Sequence, residues 1–142
     1  MTDDDLRRIL GETRVIALVG WSPKADRPSH RVAAFLKSQG YRVIPVNPGQ
    51  AGQQALGETV RASLSEIDEA VDMVDIFRRS EEVPAVVEEA LAALPGLKTV
   101  WMQLGIEHAG AAAMAEARGI QVVQNRCPAI EIPRLGLGSG VH

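Results

Sequence analysis

The residues best suited to chemistry lie in one short stretch, Gly20-Trp21-Ser22-Pro23-Lys24-Ala25-Asp26-Arg27-Pro28-Ser29. It offers two hydroxyls, Ser22 and Ser29, and two cations, Lys24 and Arg27. It stands between an apolar run, Val15-Ile16-Ala17-Leu18-Val19, and a helix-patterned segment from about Ser29 to Gln39. A strand that breaks at glycine and enters a helix gathers unpaired backbone N–H groups at one point. With the positive end of the helix dipole, these form a ready seat for phosphate. The pattern predicts anion capture of the kind a nucleotide needs.

Two other loops carry matching chemistry. Asn47-Pro48 follows the run Tyr41-Arg42-Val43-Ile44-Pro45-Val46, and Phe77-Arg78-Arg79-Ser80 closes the apolar run Val71 to Phe77. Arginine binds phosphate through charge-assisted, often bidentate hydrogen bonds. Arg78 is favoured over Arg79 because it directly follows the buried run.

The elements that must position these loops are legible from periodicity. Thr2 or one of Asp3, Asp4 and Asp5 caps a short helix ending near Gly11. Arg14 to Val19 is a continuous apolar strand, as expected where both faces are covered. Helix Ser29 to Gln39 ends at Gly40, and strand Tyr41 to Val46 is expected to end its pairing at Pro45. Residues 49–57 read as loop, Glu58 to Val60 as a short edge strand, and Ser63 to Ile67 as a helical turn. Strands Val71 to Phe77, Thr99 to Leu104 and Ile120 to Gln124 alternate with helices Glu82 to Leu94 and Glu107 to Arg118. The tail 136–142 has turn composition and is expected to be loose.

This alternation predicts an α/β class: a single Rossmann-like domain over 1–142, with a parallel sheet and helices on both faces. The expected strand order is 3-2-1-4-5, with strand one beside Val71 to Phe77, where the winding reverses. Ligands bind outside the carboxyl ends of the strands at such a point. The three loops converge there.

The usual NAD signature needs G-x-G-x-x-G at the first turn and an acid at the end of strand two. Only Gly20 is present in the turn, and strand two ends in Asn47 with no acid beside it. NAD is disfavoured. NADP, whose phosphorylated ribose suits an amide beside cations, remains an alternative as the cofactor of an oxidoreductase. The set Lys24, Arg27, Arg78 and Arg79 suits a ligand with a pyrophosphate and a separate ribose phosphate, the arrangement of coenzyme A.

Each residue also has a plainer structural role. Gly20 is also the turn glycine of any α/β protein, Ser22 a local turn acceptor, and Ser29 a helix N-cap. Lys24 and Arg27 also read as solvated charges. Trp21 is suited to stack on a base or shield the cleft, whereas Trp101, inside an apolar strand, reads as core. His30 reads as a surface residue, His108 has no nucleophile or second ligand near it, and His142 is in the tail. Three scattered histidines give no metal spacing, and no catalytic set emerges. Cys127, the only cysteine, reads as a structural thiol; a nucleophile there would need an activating base.

The 142 residues are 46% hydrophobic and 23% charged, with net charge −3. That is ordinary for a soluble globular protein and argues against general nucleic-acid binding. No apolar segment approaches the roughly 18 residues that span a bilayer, and the acidic start lacks a signal peptide's pattern. A cytoplasmic location follows as the expectation, with a homodimer or a protein partner left open.

The ordered motifs carry a resemblance. Val19-Gly20-Trp21-Ser22-Pro23-Lys24 through Arg27-Pro28-Ser29 and Gly40 to Pro48 open the series. Val74-Asp75-Ile76-Phe77-Arg78-Arg79, Trp101-Met102-Gln103-Leu104-Gly105 and Asn125-Arg126-Cys127-Pro128 complete it. Together, over roughly 13–135, they resemble small stand-alone CoA-binding domain proteins, similar to the N-terminal CoA-binding domain of the succinyl-CoA synthetase alpha subunit. The resemblance implies that Gly20 to Ser29 hold CoA phosphates and that Asn47-Pro48 and Phe77-Arg78 line the nucleotide cleft. The synthetase's further domain, with its phosphorylated histidine, has no counterpart in these 142 residues. The expectation is binding of CoA or an acyl-CoA in a non-catalytic or regulatory role.

Overall fold

In the computed structural model, which describes residues 1–138, the apolar runs meet edge to edge. The elements run α1 (Asp3–Glu12), β1 (Val15–Val19), α2 (Pro28–Ser38), β2 (Arg42–Val46), β3 (Gln54–Ala55), β4 (Glu58–Thr59) and β5 (Met73–Ile76). They continue as α3 (Val83–Ala93), β6 (Thr99–Met102), α4 (Ala109–Glu116), β7 (Gln121–Val123) and α5 (Pro128–Arg134). Strands β2, β1, β5, β6 and β7 form one parallel sheet in that order. The α/β class and Rossmann-like layering are as expected, and β1 does lie beside β5.

Alternation along the strands sorts the core into two layers. Ile16, Leu18, Val43, Met73 and Trp101 pack with residues of α1, α2 and α5. Ala17, Ile44, Val74, Ile76, Val100 and Met102 pack with α3 and α4 on the other face. Each face thus buries one residue in two, as the pleat requires. The N-terminal helix is fixed by a capping box: Thr2 Oγ1 accepts from Asp5 N–H, and the Asp5 carboxylate accepts from Thr2 N–H.

Two expectations are corrected, and one helix is added that the sequence reading left unassigned. The segment at Glu58 does not extend the main sheet; β4 pairs antiparallel with β3 as a separate hairpin. Leu56 and Gly57 both have positive φ, 58° and 74°, which closes a two-residue turn and folds the chain back locally. One bridge, Val46 to Arg61, joins this region to β2, so the order is 2-1-3-4-5 in the sheet's own strands. Pairing also continues past Pro45, through Val19 and Val46. The Pro45 carbonyl accepts from Arg61 N–H on the outer side of β2, so its ring nitrogen faces that edge and no bond to β1 is lost. Finally, Pro128–Arg134 is helical, a seven-residue element whose two prolines, Pro128 and Pro133, hid its period. The tail is docked at its start, where Leu137 N–H donates to the Ile132 carbonyl (2.9 Å) and Leu137 packs on the core; the rest of it, 139–142 with His142, lies outside the described residues.

The chain leaves β1 towards β2 on one side and returns to β5 on the other. The loops after β1 and β5 therefore diverge and open a crevice at the carboxyl ends of the strands. No helix among the described residues is long and apolar enough to cross a membrane.

Candidate functional site

Gly20 leaves β1 at φ +91°, and a Cβ there would stand 2.3 Å from the Phe77 carbonyl oxygen. The glycine is required by the close approach of the loop after β5. The N–H groups of Gly20 and Trp21 both donate to the Val46 carbonyl, at 2.9 and 3.3 Å. The open donors lie further along: no protein acceptor among the described residues takes the N–H of Ser22 or Ser29.

Ser29 is not the cap of α2. Pro28 occupies the first helical position and Arg27 the N-cap position, without a side-chain capping bond. Proline's fixed φ starts the helix one residue earlier than the sequence pattern suggested. Ser29 instead lies buried in the first turn, lining a cavity of about 330 Å³ with Ser22, Lys24, Arg27, Pro28 and Phe77. Lys24 and Arg27 are exposed. Neither makes an ion pair with any described residue.

The loop around this cavity is held by bonds the sequence did not announce. His30 Nδ1 donates to the Ser22 carbonyl (2.9 Å), and its ring stacks on Trp21 with centroids 5.8 Å apart. Asn47 Nδ2 donates to the Trp21 carbonyl (2.6 Å), and Ser22 Oγ accepts from Lys24 N–H (3.2 Å). Trp21 is buried in the core layer, with His30 as its stacking partner. Trp21 and Asn47 thus position the loop from behind, and His30 has a part that a surface residue would not.

Phe77 also lines a larger apolar cavity of about 550 Å³, whose wall includes Pro28, Val32, Gln103, Cys127 and Ile130. A third, of about 460 Å³, is lined by Gly20, Pro48, Ser63, Arg78, Glu82 and Glu89, among others. Arg78 borders both the apolar and the third cavity. Its Nη2 donates to Glu82 Oε1 (2.7 Å), a bond that holds the Glu82 carboxyl below the usual range. Arg79 borders the apolar cavity too, with its side chain 77% exposed. Of the two arginines, Arg78 holds the central place.

The third cavity contains something the sequence hid. No acid follows strand two, yet α3 and the turn before it bring Glu82 and Glu89 beside Gly20 and Pro48. Glu89 already accepts from the backbone N–H and hydroxyl of Ser65. Sequence spacing could not reveal this, because the two segments meet only across the sheet's carboxyl edge.

Beneath the loops lies Asp75, fully buried in β5 on the face of Met73 and Trp101, with neither carboxylate oxygen hydrogen-bonded. Burial pushes its carboxyl well above the ordinary Asp range. Its place inside an apolar run concealed it. His108 has a structural part, its Nδ1 accepting from Ala111 N–H at the start of α4 (3.0 Å). Trp101 is core, as expected.

Comparison with known proteins fits this geometry. The profile of a family described as "CoA binding domain" matches residues 14–133. The chain belongs to this CoA-binding domain family. It is similar to the uncharacterized protein YneT of Bacillus subtilis (strain 168), 38% identical over 87% of this chain and 88% of that one. Among solved structures it is similar to cell-free ID.343 from Thermus thermophilus, at TM-score 0.89 and 38% identity over 95% of this chain and 99% of that chain. It is also similar to a hypothetical protein from Pyrococcus horikoshii OT3, at TM-score 0.87 and 36% identity over 95% and 92% of the two chains. The fold alone is shared with a dinucleotide-forming acetyl-coenzyme A synthetase 1 from Ca. Korarchaeum cryptofilum, at 22% identity and TM-score 0.66. That match covers 84% of this chain and 27% of the synthetase. The crevice gathers two backbone N–H groups with no acceptor among the described residues, two cations without ion pairs there, two hydroxyls and a glycine turn.

Proposed function

We propose that this protein binds coenzyme A or an acyl-CoA at the carboxyl edge of its sheet, as a non-catalytic binding or regulatory protein of the cytoplasm. The observation that carries the reading is the pair Lys24 and Arg27, left without carboxylate partners around a cavity at the N-terminus of an eleven-residue helix. An anion there gains the helix dipole, the Ser22 and Ser29 N–H groups and two counter-ions in one place. Ser22 and Ser29 add hydroxyl donors, and Arg78 reaches the same crevice from the β5 side. Gly20, Pro48 and the Glu82 and Glu89 carboxylates form the neighbouring wall, suited to the hydroxyls and amine of a nucleoside. Trp21, Asn47 and His30 keep the loop in shape before any ligand arrives, which lowers the ordering cost of binding. Family membership supports the choice of coenzyme A over other nucleotides.

Titration calorimetry with CoA, dephospho-CoA and NADP at moderate salt tests the reading. CoA is expected to bind, with dephospho-CoA weaker because it lacks one phosphate and its contacts. Clear NADP binding with no heat from CoA would overturn it in favour of an NADP-linked oxidoreductase.

A further inference from the structure

Among the described residues, two of the three exposed large apolar side chains, Leu104 at 57% and Ile130 at 52%, stand on the wall of the same 550 Å³ cavity; the third is Met1 at the chain start. An apolar chamber of this size, open between two such side chains, falls within the range of small-ligand sites. It adjoins the phosphate cavity, Pro28 and Phe77 lining both. On its wall Gln103 is only 6% exposed, and its buried Oε1 has no hydrogen-bond partner. An unpaired buried amide oxygen calls for a donor N–H. The chamber therefore offers an acceptor for an amide N–H beside apolar walls.

We propose that this chamber seats the apolar acyl end of a CoA thioester, so that the protein prefers acyl-CoA to free CoA. The inference rests on the CoA reading of the phosphate loop and deepens it by naming the ligand's other end. CoA's arm carries two amides between pyrophosphate and sulfur, and Gln103 supplies the chamber with an acceptor for such an N–H. Val32 and Phe77 form the inner wall, and Leu104, Ile106 and Ile130 the outer one. An acyl chain laid between them buries surface that is otherwise wet. Each methylene so buried tightens binding roughly three- to fourfold. Three cations, Arg31, Arg78 and Arg79, also border this chamber, and Arg78 and Arg79 are already bonded to Glu82.

Calorimetry with CoA, acetyl-CoA, butyryl-CoA and hexanoyl-CoA on the intact chain provides the test. Affinity is expected to rise along the series, by roughly 80- to 250-fold from acetyl to hexanoyl if all four added methylenes are buried. Leu104→Ser and Ile130→Ser, both at exposed positions, are expected to flatten that rise while leaving the affinity for free CoA unchanged. Cys127, buried in the same chamber and the chain's only thiol, is an independent reporter. Hexanoyl-CoA is expected to protect it from alkylation more than CoA does at equal saturation. Tight CoA binding with no dependence on acyl length would overturn this inference and leave the parent reading standing. Absence of binding by CoA and acyl-CoA alike would overturn both. A concentration-dependent dimer that Leu104→Ser dissociates, with no acyl preference, would assign the chamber to a second copy and overturn the proposal.

Discussion

Two groups of cations on this molecule have opposite fates. Along the outer edge of β2, Arg42 binds Glu58 through two hydrogen bonds, at 2.8 and 2.9 Å, and also pairs with Glu69. Arg61 lies within ion-pair distance of the same two carboxylates. In the loop after β1, Lys24 and Arg27 make no ion pair with any described residue, Asp26 beside them included. The first group is internally neutralised, so it ties the β3–β4 hairpin to the sheet and leaves little field for a ligand. The second is an unneutralised pair beside open N–H donors. Cations thus serve structure in one place and, in the proposed reading, recognition in the other, and the presence of a partner makes the difference.

That contrast depends most on Gly20, which holds the loop against Phe77. Gly20→Ala is expected to cost about 3 kcal/mol or more of stability and to abolish CoA binding. Gly52→Ala is the control: its φ is also +91°, but nothing stands within 4 Å of its Cβ, so about 1 kcal/mol is expected. Equal losses in urea denaturation would show that close approach to Phe77 does not matter.

Next in size is the ligand effect of the unpaired group. Replacing Lys24 and Arg27 together by Ala is expected to weaken CoA binding roughly 10- to 100-fold, with an unchanged Tm. The salt dependence of Kd is expected to shrink in the same variant. A Tm drop with unaltered Kd would invert the comparison.

Asp75 extends the comparison to a carboxyl with no partner at all. Its folded-state pKa is raised, so its contribution is intact below the unfolded pKa of about 3.9 and is lost as pH rises towards the folded value. Asp75→Asn, neutral throughout, is expected to gain Tm relative to the parent protein from about pH 4 upward, by several degrees at neutral pH. Parallel Tm–pH profiles for the two proteins would refute this.

The smallest effect is expected at the paired group. Arg42→Ala is expected to lower Tm by only about a degree or two, because half-exposed ion pairs contribute little, and to leave Kd unchanged. A large loss of CoA affinity would mean that the two cation groups are coupled through the sheet.

The legible part of this molecule followed from periodicity and from loop chemistry. Continuous apolar runs marked β1, β5 and β6, and Gly20 marked the turn that carries the site. Pro45 misled because a proline's effect depends on which side of the strand its nitrogen faces. The hairpin at 54–59 misled because two-residue strands have no period to read. Trp21 was legible as part of the loop, but its burial against His30 depends on packing. Gln103 and Cys127 were visible as parts of motifs, yet nothing local put them in one chamber with Val32.

The ordered motifs over roughly 13–135 pointed to the family, and by itself the sequence determined the α/β class and the residues of the loop after β1. Those depend on patterns within about a dozen consecutive residues: alternation, a helix start, a turn glycine. Only the tertiary structure decided that Gly20 must yield to the Phe77 carbonyl, that Glu82 and Glu89 face Pro48, and that Leu104 and Ile130 frame one chamber. Those facts join segments far apart in the chain, and their cause is the winding reversal between β1 and β5, which brings loops together that no local spacing connects.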